Sequence, residues 1–346
     1  MQYFPNLLHA GCFHSRPSVQ GGSAIPSPSH NIIHQSHPSP PPSHPQENLT
    51  AVASSSSSQH VFDKNRCKCQ RQLKNDMFVE EEYDGIKLKY KREDVIGSGG
   101  YSTILHAYWK SEDIGKDECV ALKDIQMYND EKTKIALNEI NVLSEVMKLP
   151  SDQRDHIISM YGSEEKTLSG NEHMYIILEL GGIDLEVYYN EMHKNEDLLL
   201  NILKCAARGL QQFHAIGIHL DIKAKNFIIP LDQDLNSPLE SCKLIDFSFS
   251  VITEQEPVEI ELYGTLHHTP PEFGTKMATR KNDIYAFGAM TYKFLKAPNA
   301  KDNKFSVCME NEADNRPSIK ALNDFLNKKC HRFISEQNEY GELCEN

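Results

Sequence analysis

The segment His219-Leu-Asp-Ile-Lys-Ala-Lys-Asn226 places an Asp, a Lys two positions on and an Asn three further within one short stretch. Phosphoryl transfer asks for those three side chains together. Asp221 would accept or orient the proton of an attacking hydroxyl, Lys223 would neutralise charge on a γ-phosphate, and Asn226 would bind a metal ion. A polar surface loop that happens to hold the same residues is the plain alternative. The order and spacing of other chemistry-bearing residues weigh against it.

Upstream, Gly97-Ser-Gly99-Gly100-Tyr101-Ser102 lies between two strand-like runs, the second being Ile104 to Trp109. Glycines there let the backbone approach phosphates and aim N–H groups at them. A dinucleotide fold would need these glycines to open a helix, whereas here they open a strand. Cys119-Val-Ala-Leu-Lys-Asp-Ile125 follows and carries Lys123 among apolar neighbours. A buried Lys is costly without a partner, so it needs a carboxylate and a phosphate. Glu139 supplies the carboxylate from a predicted helix over residues 132–148, where it borders the stripe Ile135, Leu137, Ile140, Val142, Leu143 and Val146. Downstream, Cys242-Lys-Leu-Ile-Asp246-Phe247-Ser248 reads as a short strand ending in an Asp placed to hold Mg²⁺ against phosphates.

The elements that must position these groups begin near Lys87, where Ile86, Leu88 and Tyr90 alternate with lysines and the pattern resumes at Val95-Ile96. Met174 to Leu180 reads as a buried strand, broken by Gly181-Gly182 where two lobes would hinge. A long helix is expected from Asp197 to Ile218, running into the Asp221 loop, and another from Lys281 to Leu295 with Asp283 near its start. Thr269-Pro-Pro-Glu272 closes the loop after Asp246, and a buried Arg316–Glu272 pair would tie two distant segments.

Composition sets the frame. The chain has 346 residues, 39% hydrophobic and 25% charged, with a net charge of −13. That balance fits a globular protein with a polar tail and argues against a phosphate-driven nucleic-acid binder, while leaving room for a local basic patch. No apolar run is long enough to span a bilayer and no signal peptide is read at the start. Nine scattered cysteines, an odd number, argue against a secreted disulfide framework, and the expected place is intracellular, in cytoplasm or nucleus. Residues 1 to about 60 hold Pro, Ser and His clusters, with His30, His34, His37 and His44 among them, and disorder is expected there. Lys64, Arg66, Lys68, Arg71 and Lys74 surround Cys67 and Cys69, a basic linker or acidic-partner patch.

In chain order, the glycine loop, strand Lys123, helix Glu139, HxDxKxxN, Asp-Phe-Ser, Pro-Pro-Glu and Asp283 ahead of Phe287-Gly288 resemble a eukaryotic protein kinase over roughly residues 88–333. Lys223 and Gly264-Thr265 resemble the Ser/Thr class. Ile96-Gly-Ser-Gly-Gly, Asn138-Glu-Ile, Gly182-Ile-Asp-Leu and Leu244-Ile-Asp-Phe are closest in wording to the monopolar-spindle (TTK-like) dual-specificity kinases. The resemblance implies an α+β, two-lobed protein kinase fold: residues 86–180 as a lobe of antiparallel sheet plus one helix, and 181–333 as a mostly helical lobe. A disordered arm and basic linker over 1–85 would precede it, and a tail over 334–346 would follow. It implies ATP and Mg²⁺ as cofactors, protein substrates, and mitotic checkpoint work. It also implies a nucleotide pocket built from Ile96, Gly97, Ser98, Gly99, Gly100, Tyr101, Ile104, Ala121, Lys123, Glu179 and Leu180.

Four departures stand out. Ser102 takes the third glycine position of the loop, with Tyr101 at its tip, and is less permissive while still allowing close backbone approach. Leu220 occupies the position where many kinases put an Arg that receives an activating phosphate. Ser248 replaces the Gly after Asp-Phe, which would restrict a backbone flip and bias the inactive state. Only 20 residues separate Leu295 from Arg316, so a helix used for docking is expected to be missing or reduced. The last two motivate an alternative, a pseudokinase scaffold. Thr253 and Tyr263 are candidates for regulatory phosphorylation.

Overall fold

The computed structural model describes residues 78–100, 102–110, 117–261, 268–295, 304–333 and 341–345. The N-terminal arm, the basic stretch with Cys67 and Cys69, and Tyr101, Tyr263, Gly264 and Thr265 lie outside the described residues.

Six antiparallel strands form one sheet: β1 (Val79–Tyr83), β2 (Ile86–Ser98), β3 (Thr103–Lys110), β4 (Asp117–Gln126), β5 (Met160–Leu168) and β6 (Asn171–Glu179), in the order β1-β2-β3-β4-β6-β5. Strand β1 falls in the stretch expected to be arm and linker up to residue 85. It forms because Asp84 and Gly85, at φ 50° and 76°, make a tight hairpin turn. That turn buries Tyr83, whose hydroxyl lies 2.9 Å from that of Tyr90. The two strand-like pieces expected at 86–90 and 95–96 are one strand with register shifts between them. Helix α1 (Asp130–Met147) starts at Asn129, whose side chain accepts from Lys132 N. It buries Ile135, Val142, Leu143 and Val146, and Glu139 is carried in with them, whereas Leu137, expected in the same stripe, faces outward and is exposed.

The second lobe contains α2 (Leu185–Glu191), α3 (Glu196–His214), β7 (Gly217–Ile218), β8 (Phe227–Ile228), β9 (Lys243–Leu244), β10 (Val251–Ile252), β11 (Val258–Glu259), β12 (Met277–Ala278), α4 (Arg280–Leu295) and α5 (Ile319–Leu326). The helix expected to reach Ile218 stops at His214. Beyond it, β7 pairs antiparallel with β10, and a Cβ on Gly217 would fall 2.3 Å from the Val251 carbonyl oxygen. The chain therefore crosses β10 closely and enters the Asp221 loop extended rather than helical. One apolar cluster runs through both lobes, joining Leu143 and Ile176 to Leu203, Phe213, Phe247, Phe287 and Leu322. Among the described residues, no helix is long and apolar enough to cross a membrane.

After α4 the described chain makes two 3-10 turns, Lys304–Met309 and Ala313–Asn315, with no α-helix before α5. The first packs against Gly288, where a Cβ would sit 2.7 Å from Cys308 Cβ. The tail does not simply leave the domain, because Cys330 and Cys344 form a disulfide and Cys344 N donates to Arg332 O at 2.8 Å. Cys119 is disulfide-bonded as well. Scattered spacing in the sequence gave no sign of these bonds; the return of the chain to Arg332 is what brings Cys344 to Cys330.

Candidate active site

Strand β4 carries Lys123 inward, and α1 turns Glu139 towards it. Lys123 Nζ donates to Glu139 Oε1 and Oε2 at 2.7 and 2.6 Å, and to Asp246 Oδ1 at 3.2 Å. Burial alone would lower the Lys123 pKa, but the carboxylates of Asp246 and Glu139 outweigh it and hold the ammonium above its ordinary value. Full burial pushes the Glu139 carboxyl up, against the pull of Lys123. For Asp246, burial is overcome by Lys123, the Ser248 hydroxyl and Lys223, and its pKa falls to about 2.

The Asp221 loop is fixed from below by α4. Asp283 accepts from the backbone N–H of His219 and of Leu220, each at 2.7 Å, and its Oδ2 lies 3.0 Å from His214 Nε2. Those bonds hold Leu220 at φ 65°, a left-handed conformation costly for a branched residue. The buried imidazole of His219 is shifted down by desolvation and stays neutral. It bonds Ile245 O through Nε2 at 3.1 Å and takes the Asp221 N–H on Nδ1 at 3.3 Å. Its ring packs on Phe213 and Phe247, with centroids 5.8 and 5.1 Å away.

Within that loop Lys223 Nζ donates to Asp221 Oδ2 at 2.6 Å, and Asn226 Nδ2 donates to the same oxygen at 3.0 Å and to Asp221 O at 2.8 Å. The amide nitrogen of Asn226 is thus spent inside the loop, leaving its oxygen as the atom able to ligate a cation. Ile245 N donates to Asn226 O at 2.9 Å, which sets the Asn226 turn beside the residue before Asp246. Asp246 itself sits at φ 65°.

These groups fit Mg²⁺. Glu139, which is buried, and Asp246, whose side chain is about one-third exposed to the cleft, share the Lys123 ammonium. The cluster is one positive charge short. Hard oxygen donors from Asp246 and Asn226 are the chemistry that Mg²⁺ prefers.

The roof of the cleft is open. Gly99 N donates to Ser102 O at 2.9 Å, and Lys132 Nζ on α1 donates to Gly100 O at 3.1 Å. A Cβ added at Gly99 or Gly100 would meet nothing within 4 Å, so the protein's own packing does not demand glycine there. Gly181 contrasts with them, since its Cβ would lie 2.2 Å from Ile228 Cδ1. Gly97 pairs with Ile104 across β2 and β3, and Ser98 with Thr103. Ile96, Ile104, Ala121 and Leu180 belong to one apolar cluster at the back of the cleft. Glu179 serves differently from its neighbours: its carboxylate accepts from Lys243 Nζ at 2.7 Å and Ser159 N at 3.3 Å. Its main-chain N–H in turn donates to Ser159 O at 2.9 Å. Tyr101 lies outside the described residues.

Three contributors were not read from the sequence as bonding within the site. The Ser248 hydroxyl bonds both Asp246 Oδ1, at 2.8 Å, and Glu139 Oε2, at 2.9 Å. Asn138, next to Glu139, donates to Ser248 O and Ser250 O at 3.0 Å each. Ser250 Oγ donates to His219 O at 3.0 Å, closing the circuit to the Asp221 loop. A polar Asn beside an apolar helix stripe was the available signal for Asn138. The expected Arg316–Glu272 pair is present, bidentate at 2.6 and 2.7 Å, with Arg316 fully buried.

A two-lobed fold with a lysine–carboxylate pair facing an Asp/Lys/Asn loop defines the protein kinase class. The model of the protein kinase domain family matches residues 90–340, and the chain belongs to that family. Among curated proteins it is similar to the serine/threonine-protein kinase PknA of Corynebacterium glutamicum, at 25% identity over 65% of this chain and 47% of that protein. It is also similar to a probable serine/threonine-protein kinase of Encephalitozoon cuniculi, at 26% identity over 73% and 43%. A serine/threonine-protein kinase of Corynebacterium efficiens matches at 26% over 64% and 41%. The chain spans less than half the length of these relatives.

Proposed function

We propose that this chain is a protein kinase that transfers the γ-phosphate of ATP to Ser or Thr hydroxyls of protein substrates, with Mg²⁺. The observation that carries it is the meeting of two independent constellations in one cleft: Lys123 with Glu139 and Asp246, and Asp221 with Lys223 and Asn226. Lys123, steadied by Glu139, holds the α- and β-phosphates, and the backbone of residues 97–100 covers them. The cluster Ile96, Ile104, Ala121 and Leu180 receives the base. Asp246 and Asn226 would hold Mg²⁺, which when bound would supply positive charge against the phosphates. Asp221 orients the acceptor hydroxyl and takes its proton, while Lys223, 2.6 Å from it, is placed to meet the transferring group. Catalysis of this kind is mainly positioning and charge stabilisation.

The Ser248 bonds support activity rather than the scaffold alternative, because they join the two carboxylates that the chemistry needs. Lys223 supports Ser/Thr acceptors. Extension to Tyr, and a place in mitotic checkpoint signalling, are supported by the TTK-like wording alone. A thermal-shift titration tests nucleotide use: Mg²⁺-ATP should raise the melting temperature, and Lys123→Met should remove most of the rise. No shift in the unsubstituted protein would overturn the proposal.

A further inference from the structure

Between α2, the Asp221 loop and α4 lies a groove of about 480 Å³. Its apolar floor includes Tyr189 and Phe294, with ring centroids 4.8 Å apart and the Tyr189 hydroxyl donating to Phe294 O at 3.0 Å. Among the described lining residues, its walls carry Lys223, which is paired with Asp221, and Lys225 and Lys293 against one carboxylate, Glu186. Glu186 is shared: Lys293 Nζ lies 2.5 Å and Lys225 Nζ 3.7 Å from it. Those contacts, the Lys293 hydrogen bond first, hold the Glu186 carboxyl below its ordinary value. Lys194 adds a further ammonium 5.0 Å from the Tyr189 ring centroid. His268 at the rim adds none, since burial lowers its pKa and its Nδ1 faces Ile222 O at 3.0 Å. A chain of net charge −13 thus gathers surplus positive charge beside the residue proposed to orient the acceptor.

We propose that this groove takes the acceptor chain and selects segments with Asp or Glu side chains close to the phosphorylated hydroxyl. Resting on the kinase reading, the assignment names its substrate class. Volume and floor suit a short peptide stretch. The two lysines that share Glu186 leave one ammonium for a carboxylate from the substrate. Lys225 and Lys293 are 65% and 60% exposed, so their heads are reachable and their effect is screened by salt.

The test uses the full chain, fluorescein-labelled Ser peptides with neutral flanks, and versions with Glu or Lys within four residues on either side of the Ser. For transfer, the kcat/KM ratio of Glu to neutral peptide should be about three- to fivefold, the size expected for exposed ion pairs. It should shrink with added salt, and should fall to one or below in Lys225→Gln/Lys293→Gln. Single Lys225→Gln should give an intermediate ratio. A ratio near one in the unsubstituted protein, or one unchanged by the double substitution, would overturn the groove assignment while leaving the kinase reading intact. Should no peptide be phosphorylated, anisotropy of the same peptides decides. Tighter binding of the Glu peptide, lost in the double variant, upholds the groove although the kinase reading fails. Binding indifferent to charge overturns the groove as well.

Discussion

Ser248 Oγ lies 2.9 Å from Glu139 Oε2, so the segment that follows β9 is bonded directly to helix α1. The same hydroxyl reaches Asp246 Oδ1 at 2.8 Å. It has one proton to offer two carboxylates. Asn138 strengthens the tie by gripping the Ser248 and Ser250 carbonyls from α1.

Replacing Ser248 with Ala should therefore loosen both carboxylates. A hydrogen bond to a charged group contributes about 1.5–3 kcal/mol, and about 1.4 kcal/mol is a tenfold rate change. Steady-state kinetics should show kcat lowered at least about tenfold in Ser248→Ala, with Ser248→Thr restoring most of it. Equal kcat in Ser248→Ala and the unsubstituted protein would show that the hydroxyl does not position Asp246.

Much of this site is legible from residue type and order. Lys123 and Glu139 stand out because a charged residue among apolar neighbours demands a partner, Asp221 and Asn226 by their spacing around Lys223, and Asp246 by its place at a strand end; the structure brings these groups together. Ser248 was legible only as a departure from glycine, expected to stiffen the backbone; its bonds to two distant carboxylates depend on the fold. The end of α3 was missed because apolar periodicity continues to Ile218, while the close approach of Val251 to Gly217 is tertiary. Strand β1 and the Cys330–Cys344 bond were hidden for the same reason. Alternation is weak in Val79–Tyr83, and no spacing of cysteines shows which loops return.

Asp283 holds the Asp221 loop from α4 by accepting from two of its backbone N–H groups, those of His219 and Leu220. Asp283→Ala would strand the buried N–H groups of His219 and Leu220 and leave Leu220's positive φ unsupported. The expected loss is about 3–5 kcal/mol, measured by urea unfolding. Asp283→Asn, which keeps one acceptor oxygen, should lose less.

Arg316 is fully buried, bidentate to Glu272, and also donates to Glu310 O at 2.8 Å and Lys281 O at 3.1 Å. Lysine cannot reproduce that fork. Arg316→Lys should destabilise by about 3 kcal/mol or more. A double-substitution cycle with Glu272→Gln should show strong coupling between the two side chains.

His219 is neutral when folded because burial lowers its pKa, against the pull of Asp283, Asp221 and Asp246. On unfolding it regains an ordinary pKa of about 6.5 and binds a proton below that pH. Stability should consequently fall as pH drops below about 6.5, by up to about 1.4 kcal/mol per unit for this one proton. Urea unfolding of His219→Gln across pH 5–7 should give a shallower slope; an unchanged slope would assign the proton elsewhere.

The most direct measurement is transfer of labelled γ-phosphate from Mg²⁺-ATP to protein substrates by the full chain, beside Asp221→Asn and Asp246→Ala. The proposed roles require transfer by the unsubstituted protein and its loss by several orders of magnitude in both variants, without loss of fold. Transfer that survives Asp221→Asn undiminished would contradict the assignment of the catalytic loop.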